Sequence, residues 1–276
     1  MSQTVEPAFV ESAFKELPPL PDVAMRLISA VNDERAGTGA IVAILRTDAA
    51  LTAEVLRRAN SPVYGLAAKV SSLGQAVMLL GVDEVRRMAT TISLSQHFGR
   101  GQSAMRRLWR HAFARALVAE RIAASSGAAS GEAAYTAGLL ADIGVYGFMV
   151  SFPDAEQRVL EAASTGEAML EAEEREFGVN HCQAGEWLAQ RWRLPESIAS
   201  AVVGHHEAPS AATLAAHVYW ADHVATYLAF GFLGTQSGAA NLDGYACLRE
   251  DIRLLGQALP EDAEELFMWL VARVPA

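Results

Sequence analysis

The stretch Ser103–Gly127, SAMRRLWRHAFARALVAERIAASSG, decides the fold class. Leu108, Ala112, Arg115 and Ala119 fall on successive turns of one face, and no proline interrupts the run before Gly127 supplies a stop. That three-and-four spacing predicts one long amphipathic helix.

Working outward, the same period recurs nearly everywhere. Toward the N-terminus, Val23, Leu27, Ile28 and Val31 follow Pro21, which suits a first helical turn. Helices are expected from a Thr38 cap through Ile41, Ile44 and Leu45, and from Asp48 through Leu51, Val55 and Leu56. The latter should end in RRANSPVYG, where Asn60, Ser61 and Pro62 resist helix and Gly65 allows a turn. A serine cap, a short helix to Leu80, a glycine stop and a new helix from Asp83 follow.

Beyond residue 127, helices are expected at 131–150, 153–177, 180–193, 195–205, 210–231 and 260–273, with FLGTQSGAANLDG as a loop. No stretch alternates apolar and polar residues long enough for a strand, so the fold class is all-α. No repeat of 20 to 50 residues and no low-complexity tail is present. The division expected is an N-terminal helical lobe over 10–100, a second helical lobe over 101–230 and a C-terminal helical extension over 231–276. The first two should share an interface rather than a flexible hinge.

A chain of 276 residues that is 51% hydrophobic and 8% aromatic can bury a substantial core and lies far from disordered composition. Two cysteines, Cys182 and Cys247, support neither a disulfide framework nor an all-cysteine zinc site. The first twenty residues lack the basic start and apolar centre of a signal peptide, and no apolar run of about 18 residues is read. A cytoplasmic protein without membrane insertion is the expectation.

The net charge of −10 is uneven: residues 1–120 carry 14 basic and 11 acidic side chains (+3), residues 121–276 carry 8 and 21 (−13). Arg57-Arg58, Arg86-Arg87 and Arg106-Arg107 with Arg110 form basic clusters whose forked guanidinium groups suit phosphate. Their plainer reading is a solvated face paired with Glu54, Asp83 or Glu84. The helix pair over 38–60 could pass for a helix-turn-helix, but +3 and an outward Glu54 argue against DNA as a partner.

Chemistry-bearing residues concentrate in the second half. Asp142 sits in AGLLADIG, an acid inside an apolar run, which must either reach water or be held for a ligand because unpaired burial costs several kcal/mol. His111, Asp142, His181, the pair His205-His206 and Asp222 follow in that order on separate predicted helices. Imidazoles and carboxylates aimed inward from a bundle suit a divalent metal. For each there is a plainer role: His205-His206 at a helix C-terminus, His181 beside an Asn180 cap, Cys182 as a small buried hydrophobe. His97, His217 and His223 are read as structural.

Seven segments taken together, LPPLPDVAMRLISAVND, RTDAALTAEVLRRANSPVYG, VSSLGQAVMLLGVDEVRRMA, LWRHAFARALVAERIA, AGLLADIG, NHCQAGEWLAQRWRLPESIASAVVGHHEAP and YWADHVA, resemble the HDOD family over roughly residues 10–230. This is a bacterial signalling module related to HD and HD-GYP phosphohydrolases. The resemblance implies an all-helical fold with an HD-like core in the second lobe. In catalytic relatives an upstream histidine, a His-Asp dipeptide and a downstream aspartate hold a metal that activates water. His111, Asp142 and Asp222 match three of these, and His181, His205 and His206 resemble the additional histidines of HD-GYP enzymes, which degrade cyclic di-GMP.

Two departures stand out. The dipeptide histidine is replaced by Ala141, which has no lone pair for a metal, and the chain contains no Gly-Tyr-Pro. The reading that follows is a non-catalytic signalling protein with a degenerate HD motif, no required cofactor and a protein partner. The alternatives are a phosphohydrolase using Mn, Fe or Ni, and a cyclic di-GMP receptor without turnover.

Overall fold

A computed structural model describes residues 5–226 apart from 31–36, 67–68, 99–102, 127–129, 167, 210 and 212. The described residues are helical, with no strand among them. The expected helix over 260–273, the loop FLGTQSGAANLDG and the extension over 231–276 lie outside them.

The chain forms two compact units. One contains α2 (Asp22–Ser29), α3 (Thr38–Leu45), α4 (Ala49–Ala59), α5 (Leu73–Leu80) and α6 (Val82–Phe98). Leu27, Ile41, Leu45, Leu51, Val55, Ala76, Val85 and Met88 fill its core, all nearly without exposure. Asp48 caps α4 by accepting from the Ala50 and Leu51 amides, and Ser72 caps α5 by accepting from Gln75. The α3 cap is Gly37 rather than Thr38, which becomes the first helical residue. The irregular stretch after α4 is clamped by one side chain: Asn60 Nδ2 donates to the Leu56 and Val70 carbonyls, and Asn60 Oδ1 accepts from the Val70 amide, each at 2.8 Å.

The other unit contains α1 (Pro7–Lys15), α7 (Ser103–Ser126), α8 (Gly131–Leu140), α9 (Ile143–Ser151), α10 (Pro153–Ser164), α11 (Met169–Phe177), α12 (His181–Arg191), α13 (Glu196–Gly204) and α14 (Leu214–Ala225). Helices α7, α8 and α14 pack together through Val118, Ile122, Ala134, Ala221 and Val224. Helix α1 packs on α9 and α12, with the Phe14 ring against Phe148 and Trp187.

Two expected helices prove to be pairs. The run 131–150 breaks at Ala141-Asp142, where Asp142 becomes the N-cap residue of α9, and 153–177 breaks around Gly166, whose φ is +108°. The continuous apolar stretch Gly131–Ser151 has the length and composition to cross a bilayer, contrary to the expectation of no such run. Its most apolar window is 89% buried inside the protein, so it is the core of this unit.

Candidate functional site

The break between α8 and α9 sets Asp142 at the centre of a polar cluster. Gly138 lets α8 approach α7, because a Cβ there would stand 2.8 Å from Ala116 Cα. Gly144 does the same for α9 and α12, since a Cβ would meet the His181 carbonyl oxygen at 2.0 Å. The two glycines bracketing the acid are therefore contact points that bring α7 and α12 to its two sides.

On the α7 side, the governing residue is Arg115. Its side chain is fully buried, and Nη1 donates to Asp142 Oδ2 at 2.8 Å and to Asp222 Oδ1 at 2.9 Å. Nε donates to the Gly138 carbonyl at 2.9 Å, and the His111 Nε2 atom lies 3.3 Å from Nη1 and 2.8 Å from Asp222 Oδ1. One guanidinium thus stands among three of the groups expected to ligate a metal. Burial would raise the Asp142 carboxyl, but Arg115, then His205 and His111, hold it well below the usual carboxylate range. Asp222 is likewise held low against burial, by His111 and Arg115.

On the α12 side stand the three other histidines. Asn180 caps α12 with a full capping box and sets His181 at the first helical position, while His205 is the C-cap of α13 and His206 follows it. His181 Nδ1 donates to Glu173, whose oxygens lie 2.9 and 2.8 Å away, and Glu173 also accepts from the His181 amide at 2.8 Å. His205 Nδ1 donates to the Val202 carbonyl at 2.8 Å. The Nε2 atom of His181 is 3.3 Å from that of His205 and 3.0 Å from that of His206. Asp142 Oδ1 completes the group, 3.3 Å from His205 Nε2 and 3.7 Å from His181 Nε2.

Burial would lower the imidazolium of His205, yet hydrogen bonding to Asp142 and Cys182 brings it up to about 9; burial likewise opposes the charge on His181, whose pKa Glu173 and Cys182 nevertheless hold well above the ordinary imidazole value. His206 is pushed down by burial and by the charges of His205 and His181. Cys182, 8% exposed, is raised by burial but brought down to about 6 by His181 and His205.

His111, Asp142, His181, His205, His206 and Asp222 therefore gather in one place, with Asp142 joining two halves. His223 donates to the Tyr219 carbonyl within α14, and His97 lies on α6 in the other unit. Arg57 and Arg87 pair with Glu54 and Glu84 on their own helices, the plainer of their two readings. Sequence reasoning missed Arg115, Glu173 and the proximity of Cys182. The first had a visible signal: an arginine on the buried stripe, one turn after His111.

The HDOD domain profile matches residues 17–208. The chain belongs to the HDOD domain family. An HDOD domain protein with unknown function from Geobacter sulfurreducens is similar at 29% identity and a TM-score of 0.72, covering 97% of this chain and 87% of that one. A Marinobacter aquaeolei protein, assigned to signal transduction by name only, has 23% identity and a TM-score of 0.74 over 98% of this chain and 61% of its own. A Shewanella amazonensis protein, called a phosphohydrolase by name only, has 22% identity and a TM-score of 0.66 over 96% and 94%. These last two show the fold alone. An uncharacterized Treponema pallidum protein is 23% identical over 206 residues, 74% of this chain but 40% of that relative, so the chain spans less than half its length.

The expected resemblance to HD phosphohydrolases would put a divalent ion among His111, Asp142, Asp222 and a dipeptide histidine. This HDOD domain does not fit that ion. Ala141 offers no ligand atom, and Arg115 Nη1 already makes hydrogen-bond contact with both carboxylates. The His181, His205, His206 and Cys182 half is different: four ligand-type atoms lie within 4.8 Å of one another.

Proposed function

We propose that this HDOD domain is a signal-transduction module that works through a protein partner and does not hydrolyse phosphate esters. The observation that carries the reading is the Arg115 guanidinium bonded to both Asp142 and Asp222, beside Ala141 in the dipeptide position. A guanidinium neutralises the two acids but cannot lower the pKa of a bound water as a metal ion does, so this half of the pocket has no agent to prepare a nucleophile. What the arrangement does well is hold α7, α8 and α14 together through a buried charge network.

The test is turnover. The purified chain, supplied with Mn²⁺, Fe²⁺ or Ni²⁺, should release no product from cyclic di-GMP or a generic phosphodiester above the metal-only control. Turnover that disappears in Asp142→Ala would instead establish a phosphohydrolase. Recognition without turnover is the companion reading, favoured by Arg115 Nη2, a buried donor with no hydrogen-bond acceptor among the described residues. Calorimetric titration with cyclic di-GMP tests it, and absence of heat at high micromolar ligand ends it.

A further inference from the structure

The proton positions on two buried rings point to a second cation. His181 Nδ1 lies against the Glu173 carboxylate and His205 Nδ1 against the Val202 carbonyl, both acceptors, so each Nδ1 carries the proton. In a neutral ring that leaves Nε2 as a bare lone pair. The two Nε2 atoms nevertheless face each other at 3.3 Å, with His206 Nε2 3.0 Å from one and Asp142 Oδ1 3.3 Å from the other. Acceptors converge there, and the repulsion is relieved either by protons on the rings or by a metal ion among them, for which the four ligand-type atoms within 4.8 Å of one another supply the set. An imidazole whose outer N–H is fixed by a carboxylate or a carbonyl is the arrangement that metal-bound histidines adopt.

The spacing agrees. Zinc–nitrogen bonds of about 2.0–2.1 Å in a tetrahedron place neighbouring ligand atoms about 3.3–3.4 Å apart, against 3.0 and 3.3 Å for the two Nε2 pairs. Cys182 Sγ is buried beside them, 3.9 Å from His205 Nδ1. It sits in the first turn of α12, where the helix dipole favours a thiolate.

We propose that the chain binds one thiophilic divalent ion, of the zinc class, through His181, His205 and His206 and closes the site with Cys182, on the side of Asp142 away from Arg115. Three nitrogens and a sulfur make a closed tetrahedral set with no position for water, the form of a structural or sensing ion rather than a catalytic one. The ion ties the start of α12 to the end of α13. The stoichiometry is one, because the guanidinium fills the other half of the pocket. The inference does not rest on the signalling reading: turnover by the loaded protein would end that reading and leave this one standing, and failure to bind metal would do the reverse.

The experiment is an anaerobic titration of the untagged full chain with Co²⁺. Saturation is expected at one equivalent, with the intense visible bands of tetrahedral cobalt and a near-ultraviolet thiolate-to-cobalt charge-transfer band. Cys182→Ser should lose the charge-transfer band and bind at least about 10-fold more weakly, a loss known even for outer-shell partners of a metal, whereas Cys247→Ser should keep both. His206→Ala, the more open of the three histidines, should weaken binding with helical content unchanged. Absence of binding, two equivalents bound, or a spectrum that Cys182→Ser leaves unaltered would each overturn the proposal.

Discussion

Replacing Arg115 by methionine keeps most of the side-chain volume and removes only the charge and its hydrogen bonds. The guanidinium is fully buried, and its partners Asp142 and Asp222 expose only 11% and 17% of their side chains. Removing one member of a buried ion pair typically costs about 3–5 kcal/mol, because the remaining charge is left uncompensated. Here two carboxylates lose one shared partner and are left repelling each other, so the loss belongs in that range rather than at twice it. For a unit of this size the melting transition should fall by about 6–20 °C.

The assay is scanning calorimetry, in which the transition of the unit carrying α7–α14 is followed separately, since a two-unit chain need not melt in one step. Two further arms isolate the electrostatics. Asp222→Asn should reduce the penalty of Arg115→Met by at least about 1 kcal/mol, as neighbours in one network couple. Mg²⁺, a hard cation for oxygen ligands, should raise the melting point of Arg115→Met and leave the wild type unchanged. A methionine variant within about 1 kcal/mol of wild type, or one indifferent to Asp222→Asn, would refute the account of Arg115 as the cation holding the two acids.

Three other outcomes are expected. Glu156 is 1% exposed and its carboxyl oxygens have no hydrogen-bond partner among the described residues, while burial and then Glu173 push its pKa well above 4.5. A raised carboxyl favours the folded state when protonated, so its penalty begins as pH climbs past the ordinary glutamate value and grows until the raised value is reached. Glu156→Met should therefore stabilise by about 1–3 kcal/mol at neutral pH, and denaturant midpoints measured from pH 4 upward should converge at the acid end. Asn60→Ala removes three hydrogen bonds that clamp residues 60 and 70, and should cost about 1–3 kcal/mol, with faster amide exchange at Val70 as its local signature. Gly144→Ala drives a methyl group into the His181 carbonyl, so urea denaturation should show a loss of about 3 kcal/mol, the upper end of overpacking penalties.

Much of the architecture was legible because helix periodicity is local. Leu108, Ala112 and Ala119 mark a face whatever surrounds them, and the caps at Asp48, Ser72 and Asn180 act within three residues. The two breaks were not legible. Asp142 lies inside a run as apolar as any core helix, and the turn there is imposed by the need to bring α9 against α12 at Gly144. The six candidate residues could be named in order because their motifs are short. Their partners could not: Arg115 meets Asp222 across 107 positions, a pairing that no local pattern encodes.

What the sequence determined by itself is an all-helical HDOD chain with an alanine, Ala141, before Asp142, since helical period and residue identity are read along the chain. Tertiary structure alone decided how the pocket is charged. Packing of α7 against α8 buries Arg115 where it must pair with Asp142 and Asp222, because a guanidinium taken out of water is tolerated only beside carboxylates. The meeting of α12 and α13 turns three separate histidines and Cys182 into a convergent set of lone pairs.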